Sequence, residues 1–166
     1  VYYDGYVGAG GSYGVTNSQY YQGSKSLQFN FKTHYEYGAW WAALMLNLGD
    51  GYDGTNPTYS DDWSYYNKLE FWYKGSANNP QQDLEIDIDC AANGGSSYRI
   101  QLTDSSGPMS QSTIWRKATV DLTSIPDSDL SHVYFIRYLV QDWNNNYGSS
   151  GDGSGTIYMD NFKLVK

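Results

Sequence analysis

Four carboxylates recur at every second position of "DLEIDIDC", residues 83–90: Asp83, Glu85, Asp87 and Asp89. Alternate residues of a strand project to one face about 6.5–7 Å apart. The stretch therefore sets a row of acids along one side of a sheet, with Leu84, Ile86, Ile88 and Cys90 along the other. Such a row admits three outcomes. Paired carboxyls cleave glycosides when they stand about 5–5.5 Å apart for retention or about 6.5–9.5 Å apart for inversion. Carboxylates also hold sugar hydroxyls as charged hydrogen-bond acceptors. The plainest outcome is a solvated acidic stripe, partly neutralised across the strands by Arg99 and Arg137.

The same parity extends to neighbouring segments. In "YRIQLT" (98–103), Tyr98, Ile100 and Leu102 turn inward while Arg99, Gln101 and Thr103 turn out. In "WWAALMLNL" (40–48), Ala42, Leu44, Leu46 and Leu48 turn inward, and Trp41, Ala43, Met45 and Asn47 outward. "YFIRYLVQD" (134–142) is apolar on both faces, but Arg137 and Gln141 share a parity and are placed outside with Leu139. "LEFWYK" (69–74) puts Leu69, Phe71 and Tyr73 inside, and Glu70, Trp72 and Lys74 outside. The outward set mixes indole, amide, carboxylate and guanidinium groups. Rings stack on the apolar faces of pyranoses, and planar polar groups engage pairs of hydroxyls.

These segments belong to an all-β chain. Short runs rich in Val, Ile, Leu, Phe and Tyr alternate with Gly/Ser/Asn/Asp loops, and no long stretch has helical periodicity. The pattern predicts strands over 2–7, 13–16, 26–32, 39–48, 68–74, 83–91, 98–103, 116–122, 133–141 and 156–165. Ten such strands make two packed antiparallel sheets, a β-sandwich or jelly roll. The 166 residues form one domain, 1–166, with no shift of composition to mark a second. The loops 50–63 and 144–155 are long enough to carry function. Trp143 precedes the second and Trp63 ends the first, and such loop aromatics either wall a cleft or pack on the core.

The last strand, "TIYMDNFKLVK" (156–166), loses phase. Ile157 and Met159 share a face, but the apolar residues resume at Phe162 and Leu164. A one-residue slip reverses every side chain of a strand, so a bulge is expected at Asp160-Asn161.

Composition narrows the partners. A net charge of −8, from 18 acids against 10 bases, argues against nucleic acid and against an anionic membrane surface. The 18 Tyr and 6 Trp exceed what a disordered acidic chain carries. The lone Cys90 excludes a disulfide framework, and its core parity makes it a buried thiol. The start at Val1, without an initiator Met, is expected of a processed protein or an excised module.

Taken together, "YYDGYV", "QGSKSLQFNF", "YNKLEFWYKG", "STIWRKATVDL" and the closing "GTIYMDNFKLV" resemble the β-sandwich carbohydrate-binding modules appended to bacterial plant-cell-wall hydrolases. The resemblance spans the full length, and "GSKSL" and "DNFKL" are its most specific parts. It implies a first sheet from the two termini with the strands around "LQFNF", "LEFWYK" and "KATVDL". It implies a second, concave ligand sheet from the strands around Trp41, Asp87, Gln101 and Arg137. The carbohydrate-binding set it implies is Trp41, Asn47, Glu85, Asp87, Asp89, Arg99, Gln101, Arg137, Gln141 and Trp143. It also implies a structural Ca2+ held by Asp4, a carbonyl at or near Lys25, and Asp160; the alternative is a bulge whose Asp160 caps amides without metal. Trp72 falls on the opposite sheet, and Trp115 is a packing residue.

The expectation that follows is a secreted, monomeric, non-catalytic module, covalently linked to a catalytic domain, that binds neutral β-glucans in a concave cleft. The ligands expected are cellooligosaccharides, mixed-linkage glucan and xyloglucan. Two other readings remain open. A small jelly-roll glycoside hydrolase needs two acids across a cleft. This chain has only Glu36, Glu70 and Glu85 as glutamates, with Glu70 expected on the other sheet, and a row of Asp offers no singular general acid. A lectin or adhesion domain is the third class; calcium within the sugar site would favour it.

Overall fold

The computed structural model describes residues 12–33, 41–48, 60–79, 84–90, 97–141 and 153–166, apart from the side chains of Lys32, Thr33, Trp41, Asn47 and Gln141. Nine strands lie among these: β1 (Ser12–Thr16), β2 (Ser26–Thr33), β3 (Trp41–Asn47), β4 (Lys68–Lys74), β5 (Leu84–Asp89), β6 (Ser97–Gln101), β7 (Arg116–Asp121), β8 (Phe135–Gln141) and β9 (Gly153–Val165). Among the described residues, a 3-10 turn (Met109–Gln111) and a one-turn helix, α1 (Asp127–Leu130), interrupt them. The expected strand over 2–7 lies outside the described residues.

The strands form two sheets, one of five strands in the order β1-β2-β9-β4-β7 and one of four in the order β3-β8-β5-β6. Every pairing is antiparallel among the described strands. This is the antiparallel β-sandwich that the alternating pattern predicts. The alternation also sets its core. Phe29 and Phe31 of β2, Phe71 and Tyr73 of β4, and Ile157 and Met159 of β9 meet Leu44 of β3, Ile86 and Ile88 of β5, and Tyr138 and Val140 of β8 in one buried cluster. Trp63, from the loop before β4, is 4% exposed and belongs to this core, not to an open cleft wall.

The phase break in β9 is a bulge. Between Trp72 and Glu70, β4 offers one residue, Phe71; between their partners Asp160 and Lys163, β9 offers two, Asn161 and Phe162. Asn161 takes φ of 53°, a left-handed conformation that Asn tolerates better than most residues. The slip returns Phe162 to the inner side. Its ring lies 5.5 Å from Phe71 and 5.6 Å from Tyr138, and Leu164 packs on the core beyond it.

The segment between β4 and β5 is stapled to the first sheet by Asn79. Its amide donates to the carbonyls of Ser110 and Thr156 at 2.7 Å each and accepts from the Thr156 N–H at 3.1 Å. Gly155 lies so close that a Cβ there would stand 2.5 Å from Asn79 Oδ1 and 2.6 Å from Phe31. Only a residue without a side chain fits.

Candidate functional site

The register of the four-stranded sheet aligns the outward residues in rows across it. Met45 of β3 pairs with Arg137 of β8, Arg137 with Asp87 of β5, and Asp87 with Arg99 of β6. The next row is Ala43, Leu139, Glu85 and Gln101, and the one on the other side runs Asn47, Phe135, Asp89 and Ser97. Trp41, the first residue of β3, pairs with Gln141. Of the ten sequence-derived binding residues, nine therefore lie on this one sheet. Trp143 is outside the described residues, as are the side chains of Trp41, Asn47 and Gln141.

The three described acids, Glu85, Asp87 and Asp89, do not form the solvated stripe that a charge row suggests by default; Asp83 lies outside the described residues. Asp87 is 0% exposed, Asp89 2% and Glu85 9%. The reason is pairing. Arg137 Nη2 donates to Asp87 Oδ2 at 2.5 Å and lies 3.9 Å from Asp89 Oδ2. Arg99 Nε sits 3.0 Å from Glu85 Oε1, and its Nη2 lies 3.9 Å from Asp87 Oδ2. The Ser97 hydroxyl donates to Asp87 Oδ1. Three carboxylates thus face two guanidiniums. A buried carboxylate persists as an anion only with such partners.

Beneath and beside this band the face is apolar. Ala43, Leu139 and Phe135 are buried, yet they stand apart from the cluster between the sheets. The Arg137 guanidinium carbon lies 5.3 Å from the Phe135 ring centroid, a cation–π contact. Among the described residues, the reachable groups of this face include Arg99, with 56% of its side chain exposed, Arg137, with 30%, exposed Gln101 and Ser97, and partly exposed Met45. Arg99, Arg137 and Gln101 carry N–H donors. Phe135 and Ser97 were not singled out from the sequence. The register identifies both, since each flanks Asp89 across the sheet.

Glu70, the other described glutamate, projects from the five-stranded sheet and pairs with Lys117 at 3.0 Å. The described glutamates therefore do not face each other across a cleft. Cys90 is buried, and burial pushes its thiol up to about 12, with Asp129 and Asp89 adding to the shift. It stays a thiol at neutral pH.

Asp160 occupies the bulge. Its Oδ2 accepts the N–H groups of Tyr21 and Gln22 at 2.8 and 2.9 Å, and its Oδ1 accepts that of Asn161 at 2.7 Å. An ionised carboxylate offers about four acceptor positions, so the amides leave room for one more contact. Calcium takes six to eight oxygens, and among the described residues no group of three or more His, Cys, Asp or Glu gathers. The local donor set fits an amide-holding bulge, with Asp160 at most a single-oxygen ligand of a cation. Lys25 is exposed in the turn ahead of β2, and Asp4 lies outside the described residues.

Residues 3–166 match the family model of carbohydrate binding domain 30. No curated protein sequence matches the chain. The family 30 carbohydrate-binding module of the cellulosomal cellulase Cel9D-Cel44B of Clostridium thermocellum superposes with a TM-score of 0.60 at 21% identity, over 99% of this chain and 91% of that one. A family 11 module from Clostridium thermocellum, solved with a β-1,3-1,4-mixed-linked tetrasaccharide, gives 0.58 at 17% identity, over 98% and 88%. A structure described for the promiscuous specificity of modules of the β-sandwich super family gives 0.62 at 14% identity; the chain is covered to 95% but spans only 54% of that neighbour.

Proposed function

Because the chain belongs to the carbohydrate binding domain 30 family, and is therefore a non-catalytic carbohydrate-binding module, we propose that it binds neutral β-glucans on the outward face of the β3-β8-β5-β6 sheet. The classes meant are cellooligosaccharides, mixed-linkage glucan and xyloglucan. One observation carries the reading: Arg99, Gln101 and Arg137 present reachable N–H donors on one face of the sheet that carries Trp41. Hydroxyl and ring oxygens of a sugar accept from such donors, while its C–H faces lie on apolar or aromatic surface. Trp41, at the end of the same strand row, is the stacking ring of this proposal.

Micromolar affinity needs about 8 kcal/mol. Stacking a nucleobase on one aromatic ring supplies roughly 1–3 kcal/mol and a sugar is expected to gain no more, so the proposal requires several sugar subsites along the sheet. Binding of this kind raises the effective concentration of an attached catalytic domain at the polysaccharide, and it operates outside the cell. A calcium at Asp160 would brace the meeting of β9 with the turn at 21–25, away from the sugar face.

The test is native affinity electrophoresis through hydroxyethylcellulose, mixed-linkage β-glucan, xyloglucan, mannan and xylan, with a reducing-sugar assay alongside. Retardation in the glucans without release of reducing ends is expected, with Trp41→Ala losing most of it while folded. Retardation by mannan or xylan alone would overturn the glucan reading, and unchanged retardation of the variant would overturn the role of Trp41.

A further inference from the structure

We propose that Asp87 is a positioning residue: it does not touch the saccharide, but fixes the guanidinium plane of Arg137, which does, while Arg99 is held mainly by Glu85. The inference rests on the reading of the β3-β8-β5-β6 face as the sugar site. Asp87 lies in the central row of that face, with Arg137 on one side and Arg99 on the other. Its carboxylate is 0% exposed, so a ligand on the surface cannot reach it. Both oxygens are committed: Oδ1 to the Ser97 hydroxyl, and Oδ2 to Arg137 Nη2 at 2.5 Å with Arg99 Nη2 at 3.9 Å.

What Asp87 leaves free is on the arginines. A guanidinium carries five N–H donors in one rigid plane and no acceptor. Once Oδ2 holds an Nη2 and Phe135 holds the guanidinium face, the direction of every other donor follows. Arg137 Nε is itself buried and has no hydrogen-bond partner among the described residues, so the 30% of that side chain in solvent lies on its other atoms. Arg99 keeps over half of its side chain in solvent while its Nε rests on Glu85. The ligand therefore meets donors, and the carboxylates stay beneath them. Affinity gains because two flexible side chains are ordered before the sugar arrives.

A double-mutant cycle on binding separates this from direct contact. The variants are Asp87→Asn, Arg137→Met and the double, titrated by affinity electrophoresis in whichever polysaccharide of the panel retards the wild type, with melting temperatures read in parallel. Asp87→Asn is expected to weaken binding about tenfold, the equivalent of one charge-assisted hydrogen bond, and the double variant should bind within about twofold of Arg137→Met. Losses that multiply mean that Asp87 meets the sugar itself, and an Asp87→Asn that binds like wild type means that it positions nothing; either overturns the proposal. If Asp87→Asn does not fold, Arg137→Lys replaces it, since it keeps a charge beside Asp87 but loses the planar fork. It should bind about tenfold more weakly at an unchanged melting temperature, and retained affinity overturns the proposal. A wild type retarded by none of the polysaccharides would remove the sugar-site reading, and this inference falls with it.

Discussion

The carboxylate of Asp160 accepts the backbone N–H of Tyr21, 139 residues away in the chain, at 2.8 Å. This contact ties the bulge of β9 to the turn that leads into β2, and it places the Tyr21 ring. That ring lies flat on Trp72, with centroids 3.7 Å apart and planes 13° apart, because Trp72 is the cross-strand partner of Asp160. A break in alternation near the C-terminus thus becomes a tether between the β1–β2 turn and the adjacent strands β9 and β4.

Replacing Asp160 by Ala removes the acceptor of three amides. Hydrogen bonds to a charged group are worth about 1.5–3 kcal/mol when buried; here partial exposure reduces them, and a total near 2–3 kcal/mol is expected. For a domain of this size that lowers the melting temperature by roughly 5–10 °C. The calcium proposal is tested in the same experiment. If a cation shares the carboxylate, chelator lowers the melting temperature of wild type and leaves that of Asp160→Ala where it is. An unmoved wild-type curve means that the amides alone account for the acid.

Trp72→Ala should lower stability without touching sugar binding. The indole projects from the five-stranded sheet, on the side opposite the proposed site, where it stacks on Tyr21 while Trp115 leans on that ring at 6.2 Å. Aromatic pairs contribute about 0.5–1.5 kcal/mol beyond their area, so a loss of about 1–2 kcal/mol in chemical unfolding is expected, with retardation in polysaccharide gels unchanged. Weaker retardation at intact fold would place a sugar contact on this sheet.

Much of this was legible from parity alone. A strand has a strict period of two, so "LEFWYK" and "DLEIDIDC" reveal their faces without coordinates; Phe71 and Tyr73 are core and Trp72 is not, as the alternation requires. The slip at Asp160-Asn161 was visible for the same reason, although the doubled residues are Asn161 and Phe162, one position later. Burial of the outward acids was not legible. Parity gives direction but says nothing of what covers a face, and Asp87 is closed over by Arg137, Arg99 and Ser97 from two other strands. Sequence pattern likewise could not separate Trp63, a core residue, from a cleft wall, because an isolated loop aromatic has no period.

Tyr138→Phe is expected to leave stability unchanged or raise it by up to about 1 kcal/mol. The Tyr138 hydroxyl is fully buried and has no hydrogen-bond partner among the described residues. Its ring packs against Phe71 at 5.5 Å and Phe162 at 5.6 Å. An unpaired buried hydroxyl loses its hydration on folding and regains nothing, so deleting it removes a cost and keeps the ring. Urea unfolding measures the difference. A destabilisation of more than about 1 kcal/mol would reveal a partner for the hydroxyl beyond the described residues.

Asp104 gives the fold an acid limit. It accepts the Tyr73 hydroxyl at 2.5 Å and the Ser106 N–H at 2.8 Å, and Arg116 Nε lies 3.5 Å away. The Tyr73 hydrogen bond first, then that of Ser106, then the Arg116 charge hold its carboxyl below the usual range. A folded-state value below the unfolded one means that the unfolded chain binds the proton more readily. The contribution is therefore complete above the ordinary carboxylate range and is lost as pH falls through the lower, folded value. Asp121 is lowered by Thr123 and Asp62 by Ser64, so the acid limb does not belong to Asp104 alone. Asp104→Asn should flatten the decline of melting temperature between about pH 5 and pH 3 and leave the curve above it parallel to wild type. An acid limb as steep as that of wild type would mean that the Tyr73–Asp104 contact is not what the proton breaks.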